Sequence, residues 1–404
     1  GIKKVGIIGA GTMGGGIAMN FVNAGMPVTI LEISQEFLDK GLTVVRGNYE
    51  RSAKRGRLTA EQVEQRMGLV TSTLDYAGLG DVDLIVEAVF ENMAVKKEVF
   101  TKLDTVTKPE CILATNTSTL DVDQIASVTK RPDKVIGTHF FSPANVMRLL
   151  EIVRGAKTSF ETLATTQAIA KAIQKVGVVV GVCDGFVGNR MLYAYSRQSN
   201  FLLEEGGLPE QVDKALYDFG FPMGPFAVGD LAGLDVGWLI RKARAATRPS
   251  NLRYSPIADR ICEMGRYGQK TSAGWFRYEP GSRMPIADPE IEKLIIQVSE
   301  ELGYERRPIN ESEIIQRCIY PLINEGAKIL AEGLAQRPGD IDTVWLYGYG
   351  FPRQRGGPMF YADTVGLKQI YDVMSKLYDE HGEWLKPAPL LAELAAAGKG
   401  FGDL

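Results

Sequence analysis

The stretch GIIGAGTMGGG, residues 6–16, holds three glycines in the spacing GxGxxG, at Gly9, Gly11 and Gly14. It follows the apolar run KVGIIG and leads into a segment whose apolar residues recur at helical spacing. In this strand–turn–helix context the first glycine allows a tight turn, the second lets a ligand approach the backbone, and the third permits close helix packing. The stretch therefore predicts the phosphate-binding turn of a dinucleotide-binding domain.

The second predicted strand, PVTILE, ends at Glu32, about twenty residues beyond the glycine turn. An acidic side chain there can accept hydrogen bonds from the adenosine ribose hydroxyls, whereas it would repel a 2′-phosphate. The residues that follow, Ile33 and Ser34, offer no arginine for such a phosphate. The predicted cofactor is therefore NAD rather than NADP.

The order of short apolar runs and helical segments predicts an α/β domain followed by all-α domains. Seven runs are strand candidates, and several are apolar on both faces, as in a parallel sheet covered by helices: KVGIIG, PVTILE, DLIVEAV, CILATN, KVIGTHF, LLEIVRG and VGVVVGV. We expect a Rossmann-type domain at 1–183 and two tandem, related helical domains at 184–283 and 284–404.

The helical region contains an internal duplication, in which residues 208–235 match residues 337–367. The shared landmarks keep their order: Asp213, Gly220, Pro222, Gly224, Pro225, Asp230 and Gly233 correspond to Asp342, Gly350, Pro352, Gly357, Pro358, Asp363 and Gly366. A segment rich in glycine and proline, residues 271–290, places the boundary between the copies at about residue 283.

Composition excludes several classes of protein. The 46 basic and 49 acidic residues give a net charge of -3, which favours neither nucleic acid nor anionic membranes as partners. No apolar run has the length of a membrane span, and the 4 cysteines form no CxxC pair, so neither a disulfide framework nor a metal site is expected. We expect a cytoplasmic enzyme, because no peroxisomal address is recognisable in GKGFGDL, and a fragment of a longer protein, because the sequence starts at Gly1.

His139 is the leading candidate for catalysis, because it ends a predicted strand in GTHFFSP, at the sheet edge where the cofactor turn lies. Imidazole has an unperturbed pKa near working pH and can take the proton of a secondary alcohol while hydride leaves. Glu151 follows twelve residues later, after a turn at Pro143. We expect the two side chains to meet across neighbouring strands, where the carboxylate would orient the ring.

Two further strand ends contribute candidates. Val89, Phe90 and Glu91, in VEAVFEN, are predicted to line the nicotinamide side, whereas Lys96 is either a cofactor contact or a solvated lysine on a helix face. Ser118, in ATNTST, and Asn189, in DGFVGNR, are each predicted either to bind the ligand or to cap a helix.

The motifs together resemble the L-3-hydroxyacyl-CoA dehydrogenases of fatty-acid β-oxidation over essentially the whole chain. The resemblance implies that His139 is the general base with Glu151 as its partner, and that Ser118 and Asn189 contact the substrate hydroxyl or thioester carbonyl. It also implies cofactor contacts at Met13, Glu32, Val89, Phe90, Glu91, Lys96, Ser118 and Ser142. Glu32 replaces the commoner Asp, and Ser142 stands where some relatives have Asn.

The two helical copies resemble the dehydrogenase part of multifunctional β-oxidation proteins, in which an enoyl-CoA hydratase domain precedes it. That resemblance implies a monomer, because the second copy replaces a partner subunit. It also implies substrate contact at Tyr347, for which a packing role is the alternative. The helical insertion VRGNYERSAKRGRLTAEQVEQRM offers Arg51, Lys54, Arg55 and Arg57 either as a clamp for the phosphates of coenzyme A or as a solvated hairpin.

Two other functions are compatible with parts of the sequence. A β-hydroxyacid dehydrogenase of the gluconate type shares the glycine-rich start but uses a lysine in place of His139, and the HFFSP run disfavours it. A non-catalytic relative that retains the fold is disfavoured by the intact His139, Glu151, Ser118 and Asn189. NADH turnover and its dependence on CoA distinguish the three.

Overall fold

The computed structural model describes all residues, 1–404, and divides into two compact units. Unit 1 comprises Gly1–Asn189, Gly333–Gln336 and Tyr347–Tyr349, and unit 2 comprises Arg190–Glu332, Arg337–Leu346 and Gly350–Leu404. No helix combines the length and the apolar character needed to cross a membrane. The prediction of an α/β domain followed by helices is confirmed. The three-domain division at residues 183 and 283 stays a prediction.

Unit 1 is built on one eight-stranded sheet in the order β3-β2-β1-β4-β5-β6-β7-β8. The strands are β1 Val5–Ile8, β2 Val28–Leu31, β3 Val70–Thr73, β4 Leu84–Glu87, β5 Ile112–Thr115, β6 Val135–Phe140, β7 Leu149–Val153 and β8 Val176–Val180. The helices between them are α1 Thr12–Asn23, α2 Gln35–Lys54, α3 Ala60–Met67, α4 Met93–Val106, α5 Val122–Ala126 and α6 Phe160–Ala172. All seven strand candidates form strands, and β3 is an eighth.

Strands β6 and β7 are antiparallel, whereas the other neighbouring pairs are parallel. The loop between them, residues 141–148, is too short for the crossover that parallel strands need. The antiparallel register sets His139 directly opposite Glu151. Residues opposite each other in such a pair present their side chains on the same face of the sheet. The short loop between β6 and β7 therefore brings His139 and Glu151 together.

Unit 2 is helical, and most of its helices bury the apolar stripes that the sequence showed, whereas Val236 and Leu239, in the helix Asp235–Arg244, are exposed. Helix α7 spans Gly188–Glu205, beginning in unit 1. The others are α8 Pro209–Phe219, α9 Pro225–Ala232, α10 Asp235–Arg244, α11 Ile257–Glu263, α12 Pro289–Glu301, α13 Glu311–Ala331, α14 Pro338–Gly348, α15 Pro358–Val365, α16 Leu367–His381 and α17 Pro389–Ala396.

The duplicated residues occupy equivalent places in unit 2. Asp213 accepts hydrogen bonds from the backbone of Phe226 and Ala227 at the start of α9, and Asp342 accepts them from Met359 and Phe360 at the start of α15. Each aspartate thereby satisfies amides that a helix terminus leaves unpaired.

The two copies also meet reciprocally. A side-chain carbon added at Gly220 would overlap Pro352, and one added at Gly350 would approach Pro222, the residues that correspond to each other in the duplication. The glycine of each copy thus packs on the proline of the other copy, as in the isologous interface of a symmetric dimer, but within one chain.

An Asp342→Ala variant is expected to lose about 1–2 kcal/mol of unfolding free energy, because two amides at the start of α15 lose their side-chain acceptor. Asp213→Ala should behave alike at α9, since its contacts are equivalent. Chemical denaturation followed by circular dichroism measures the change. Asp218→Ala, which removes an exposed ion-pair partner of Lys214, serves as the control, and equal stability of all variants would refute the capping role.

Candidate active site

The glycine turn has the geometry that a pyrophosphate requires. Gly9 has φ +103°, and a side-chain carbon at Gly14 would overlap the Gly9 carbonyl, so both positions demand glycine. Beside Gly11, by contrast, an added carbon would meet open space. Helix α1 starts there with no side-chain cap and no acidic residue in its first turn, which leaves its amides available to an anion.

Glu32 follows β2 directly, and its carboxylate lies against the glycine turn. One oxygen, Oε2, accepts a hydrogen bond from the Ala10 amide at 2.7 Å, and Oε1 accepts one from the Ile33 amide at 2.8 Å. The carboxylate is therefore held at the β2 end of the turn. These residues fit NAD, since they offer a cradle for the pyrophosphate and an acceptor for the ribose.

A pocket of about 320 Å³ opens in unit 1 at the carboxyl edge of the sheet. Eight of the predicted site residues line it: Met13, Val89, Glu91, Lys96, Ser118, His139, Ser142 and Asn189. Four further lining residues were not among the predicted site residues: Ala88, Asn116, Phe140 and Phe141. Asn116 lies within the quoted motif ATNTST but was not singled out. Its Oδ1 accepts a hydrogen bond from the Phe140 amide at 2.9 Å, which joins the ends of β5 and β6.

His139 and Glu151 form a buried pair. The Nδ1 atom of His139 lies 2.8 Å from Oε1 of Glu151, and the glutamate is 0% exposed. The other carboxylate oxygen accepts hydrogen bonds from the amides of Val187 and Gly188, at 3.2 Å each. Three hydrogen-bond partners thus hold the carboxylate in place, and Nε2 of the ring is left as the atom that can exchange a proton.

The segment before α7 adopts an unusual backbone to provide those amides. Gly185 has φ +79° and Phe186 has φ +50°, a conformation that a bulky residue rarely adopts. Phe186 is fully buried, and its ring centroid lies 5.7 Å from that of His139. The strained turn therefore both supplies donors to Glu151 and packs the imidazole.

Lys96 is a buried lysine rather than a solvated one, so the solvated alternative was wrong. It is 1% exposed, and its Nζ donates to Oε2 of Glu87 at 2.5 Å and lies 3.8 Å from Oε1 of Glu91. Glu87 also accepts a hydrogen bond from Oγ1 of Thr115. The residue Glu87 was missed because a charged side chain inside the apolar run DLIVEAV gives no sign of its partner.

Ser118 lies on the opposite side of the same network. Its amide and its hydroxyl donate to Oε2 of Glu91, at 2.8 and 2.9 Å. The cap of the following helix α5 is Asp121, so Ser118 does not serve as a helix cap. Asn189 is likewise inside α7 rather than before it.

A partly buried lysine fixes the loop that carries Ser142. Lys175, at the entrance to β8, donates from Nζ to the carbonyls of Ala144 and Met147, at 2.7 and 2.6 Å. Burial, with a smaller contribution from the positive charge of Arg148, lowers the pKa of Lys175 to about 8. Asn20 of α1 donates to the same Ala144 carbonyl. The loop is thereby tied to the helix that starts at the glycine turn.

Besides the three glycines, Glu32 and Glu151 described above, four predicted contacts lie outside this pocket. Phe90 is 83% exposed, and Lys54 and Arg55 are exposed at the end of α2. The Tyr347 ring packs under the guanidinium of Arg148, 5.5 Å away. The roles of all four in binding stay predictions.

Comparison with known proteins identifies the family. The family model "3-hydroxyacyl-CoA dehydrogenase, NAD binding domain" matches residues 4–183, and the model of the C-terminal domain matches residues 185–278 and 314–401. The chain belongs to the 3-hydroxyacyl-CoA dehydrogenase family. Its first part is accordingly an NAD-binding domain, and the gluconate-type alternative is not retained.

Individual relatives agree with this family. The peroxisomal bifunctional enzyme of Cavia porcellus is 48% identical over 98% of the chain, which covers 56% of that protein. The dehydrogenase part of multifunctional enzyme 1 from C. elegans is 35% identical, with a TM-score of 0.71, over 97% of this chain and 89% of that one. The 3-hydroxybutyryl-CoA dehydrogenase of Escherichia coli is 26% identical, with a TM-score of 0.85, over 98% and 99%.

These relatives correct one expectation. The expected cytoplasmic location is wrong, because similar proteins from animals and plants are named peroxisomal. The absence of a recognised address in GKGFGDL was the only argument against a peroxisome, and it does not outweigh these names. The chain spans little more than half the length of these curated relatives.

Proposed function

We propose that this chain is the dehydrogenase part of a peroxisomal multifunctional enzyme of fatty-acid β-oxidation, and that it oxidises (S)-3-hydroxyacyl-CoA to 3-ketoacyl-CoA with NAD. The observation that carries the proposal is that His139, held from behind by the buried Glu151, lines a pocket that Met13 of the glycine turn also lines. The names of the bifunctional relatives support the β-oxidation setting.

His139 acts as the general base in this proposal. Its Nε2 takes the proton of the substrate's 3-hydroxyl group, while Glu151 stabilises the positive charge that the ring acquires. When bound, NAD supplies the acceptor for the hydride from the same carbon. In the reverse direction the protonated ring returns the proton to the ketone oxygen.

Ser118 and Asn189 position the substrate in this proposal. Both line the pocket near His139, so they can bind the hydroxyl oxygen or the thioester carbonyl. The Asn189 amide donates through its amino group, and the Ser118 hydroxyl does so by turning its single proton from Glu91 to the substrate. The exposed cations Arg51, Lys54, Arg55 and Arg57, around the α2–α3 turn, are proposed to bind the phosphates of coenzyme A.

The proposal extends to the whole protein. Because the bifunctional relatives are nearly twice as long, we propose that an enoyl-CoA hydratase domain belongs to the same full-length chain. We also propose that the described chain is monomeric. The reciprocal contacts of Gly220 with Pro352 and of Gly350 with Pro222 support this, since they supply an isologous interface internally.

The purified protein, given acetoacetyl-CoA and NADH, is expected to consume NADH, measured by the fall in absorbance at about 340 nm. Turnover with NADPH should be at least tenfold less efficient, because Glu32 would repel a 2′-phosphate. Free acetoacetate serves as the control for dependence on coenzyme A. Lack of NADH turnover with 3-ketoacyl-CoA substrates of short and long chains would overturn the proposed function.

A further inference from the structure

A short segment of the second helical copy, Tyr347–Tyr349, belongs to the unit that contains the pocket. The Tyr347 ring lies by Arg148, and Gly348 lies so close to Leu149 that a side-chain carbon there would overlap the leucine. The segment therefore packs on the loop and strand that follow the histidine strand. Its last residue, Tyr349, reaches a residue of the pocket wall.

The hydroxyl of Tyr349 donates a hydrogen bond to Oδ1 of Asn189 at 2.7 Å, across 160 residues of sequence. The ring occupies the space beside Gly188, where any side-chain carbon would overlap it. It also makes an edge-on contact with Phe141, at 5.6 Å between centroids, and Phe141 lies 4.4 Å from the His139 ring. Tyr349 is thus fixed by packing on both sides.

The direction of this hydrogen bond determines what Asn189 presents to the pocket. A carboxamide has one acceptor oxygen and one amino group with two donors. Since the phenol occupies Oδ1, the rotamer that faces the ligand offers the Nδ2 donor, as an oxygen of the substrate requires. Without the phenol the amide is free to rotate and to present its oxygen, which would repel a carbonyl.

The duplication shows that the hydroxyl is not needed for packing. With Gly220 aligned on Gly350, the counterpart of Tyr349 in the first copy is Phe219. Phe219 is buried, stacks on Phe221 and lies beneath the guanidinium of Arg355. The same helix-end position is therefore filled without a hydroxyl in one copy, and with a hydroxyl aimed at the pocket wall in the other.

We propose that Tyr349 is a positioning residue of the dehydrogenase: it orients the Asn189 amide so that Nδ2 binds the reacting substrate oxygen, and the second helical copy thereby completes the active site. This inference rests on the proposed function. It assigns to the second copy a part in the chemistry besides its structural part.

The test is a double-mutant cycle on the whole described chain. Tyr349→Phe is expected to lower kcat/KM for acetoacetyl-CoA by roughly three- to tenfold, the effect of one neutral hydrogen bond, with the dissociation constant of NADH unchanged. Asn189→Ala should lower it further, and the double variant should match Asn189→Ala within about twofold, because Tyr349 acts only through that amide. Tyr217→Phe, the same change at an exposed tyrosine, is the control.

Each outcome decides one question. Equal activity of Tyr349→Phe and the unmodified protein, or losses that multiply in the double variant, would overturn the positioning role. A lowered melting temperature together with weaker NADH binding would assign Tyr349 to packing instead. If the unmodified protein has no NADH turnover with acyl-CoA substrates, the proposed function fails, and Tyr349 is not the cause.

Discussion

Replacing His139 by glutamine is expected to lower kcat by roughly 10²- to 10⁴-fold, the contribution of a positioned general base. Glutamine keeps a polar group near Glu151 but has no group that can take a proton at neutral pH. The imidazole is only 6% exposed and is packed between Phe141 and Phe186, so solvent has little room to replace it as the base.

Steady-state kinetics with acetoacetyl-CoA measure the loss, and NADH fluorescence titration measures cofactor binding, which should not change. His381→Gln is the matched control, because His381 is the second of only 2 histidines, lies in unit 2 and is not part of the pocket lining. Full turnover by His139→Gln would refute the assignment of His139 as the general base and would require another proton acceptor.

Glu151→Gln is expected to be nearly as damaging, with kcat lower by roughly 10²- to 10⁴-fold, as when a buried carboxylate behind a catalytic histidine is made neutral. The carboxylate receives donors at both oxygens, from the ring of His139 on one side and from the amides of Val187 and Gly188 on the other. An amide has only one oxygen, so its amino group must face a donor on one of these sides. The ring then loses either its orientation or its stabilising charge.

The two variants should not combine multiplicatively, because residues that act as a unit lose their joint effect once. The double variant His139→Gln/Glu151→Gln is therefore expected to be about as slow as the slower single variant. Glu110→Gln removes an exposed carboxylate and should retain activity. A Glu151→Gln enzyme within a few fold of normal kcat would contradict a role in charge stabilisation.

The parts of the fold that follow from local pattern were predictable. Apolar runs located seven strands, and the spacing of Gly9, Gly11 and Gly14 located the cofactor turn. Strand β3 was not predicted, because its sequence, VTST, is short and polar, and it lies partly exposed at the edge of the sheet. Edge strands of this kind carry little hydrophobic signal.

The site residues that lie at the ends of strands could be predicted from the sequence. His139 and Glu151 lie opposite each other because a short loop joins their strands, which the sequence shows. The contact of Tyr349 with Asn189 depends on tertiary packing across 160 residues, and no periodicity encodes it. The ion pair of Glu87 and Lys96 was hidden for a related reason, since burial cannot be read from a single charged residue. The compartment was predicted wrongly because it depends on recognition by a receptor and not on the fold.

The reciprocal glycine–proline contacts in unit 2 have a consequence for how this protein can vary. In a symmetric dimer every substitution appears twice, so a change that suits one partner is imposed on the other as well. Here the two sides of the interface are encoded separately, and each substitution is made once. One copy can therefore keep phenylalanine at position 219 while the other has tyrosine at position 349. Two identical subunits cannot differ in this way, because one gene encodes both.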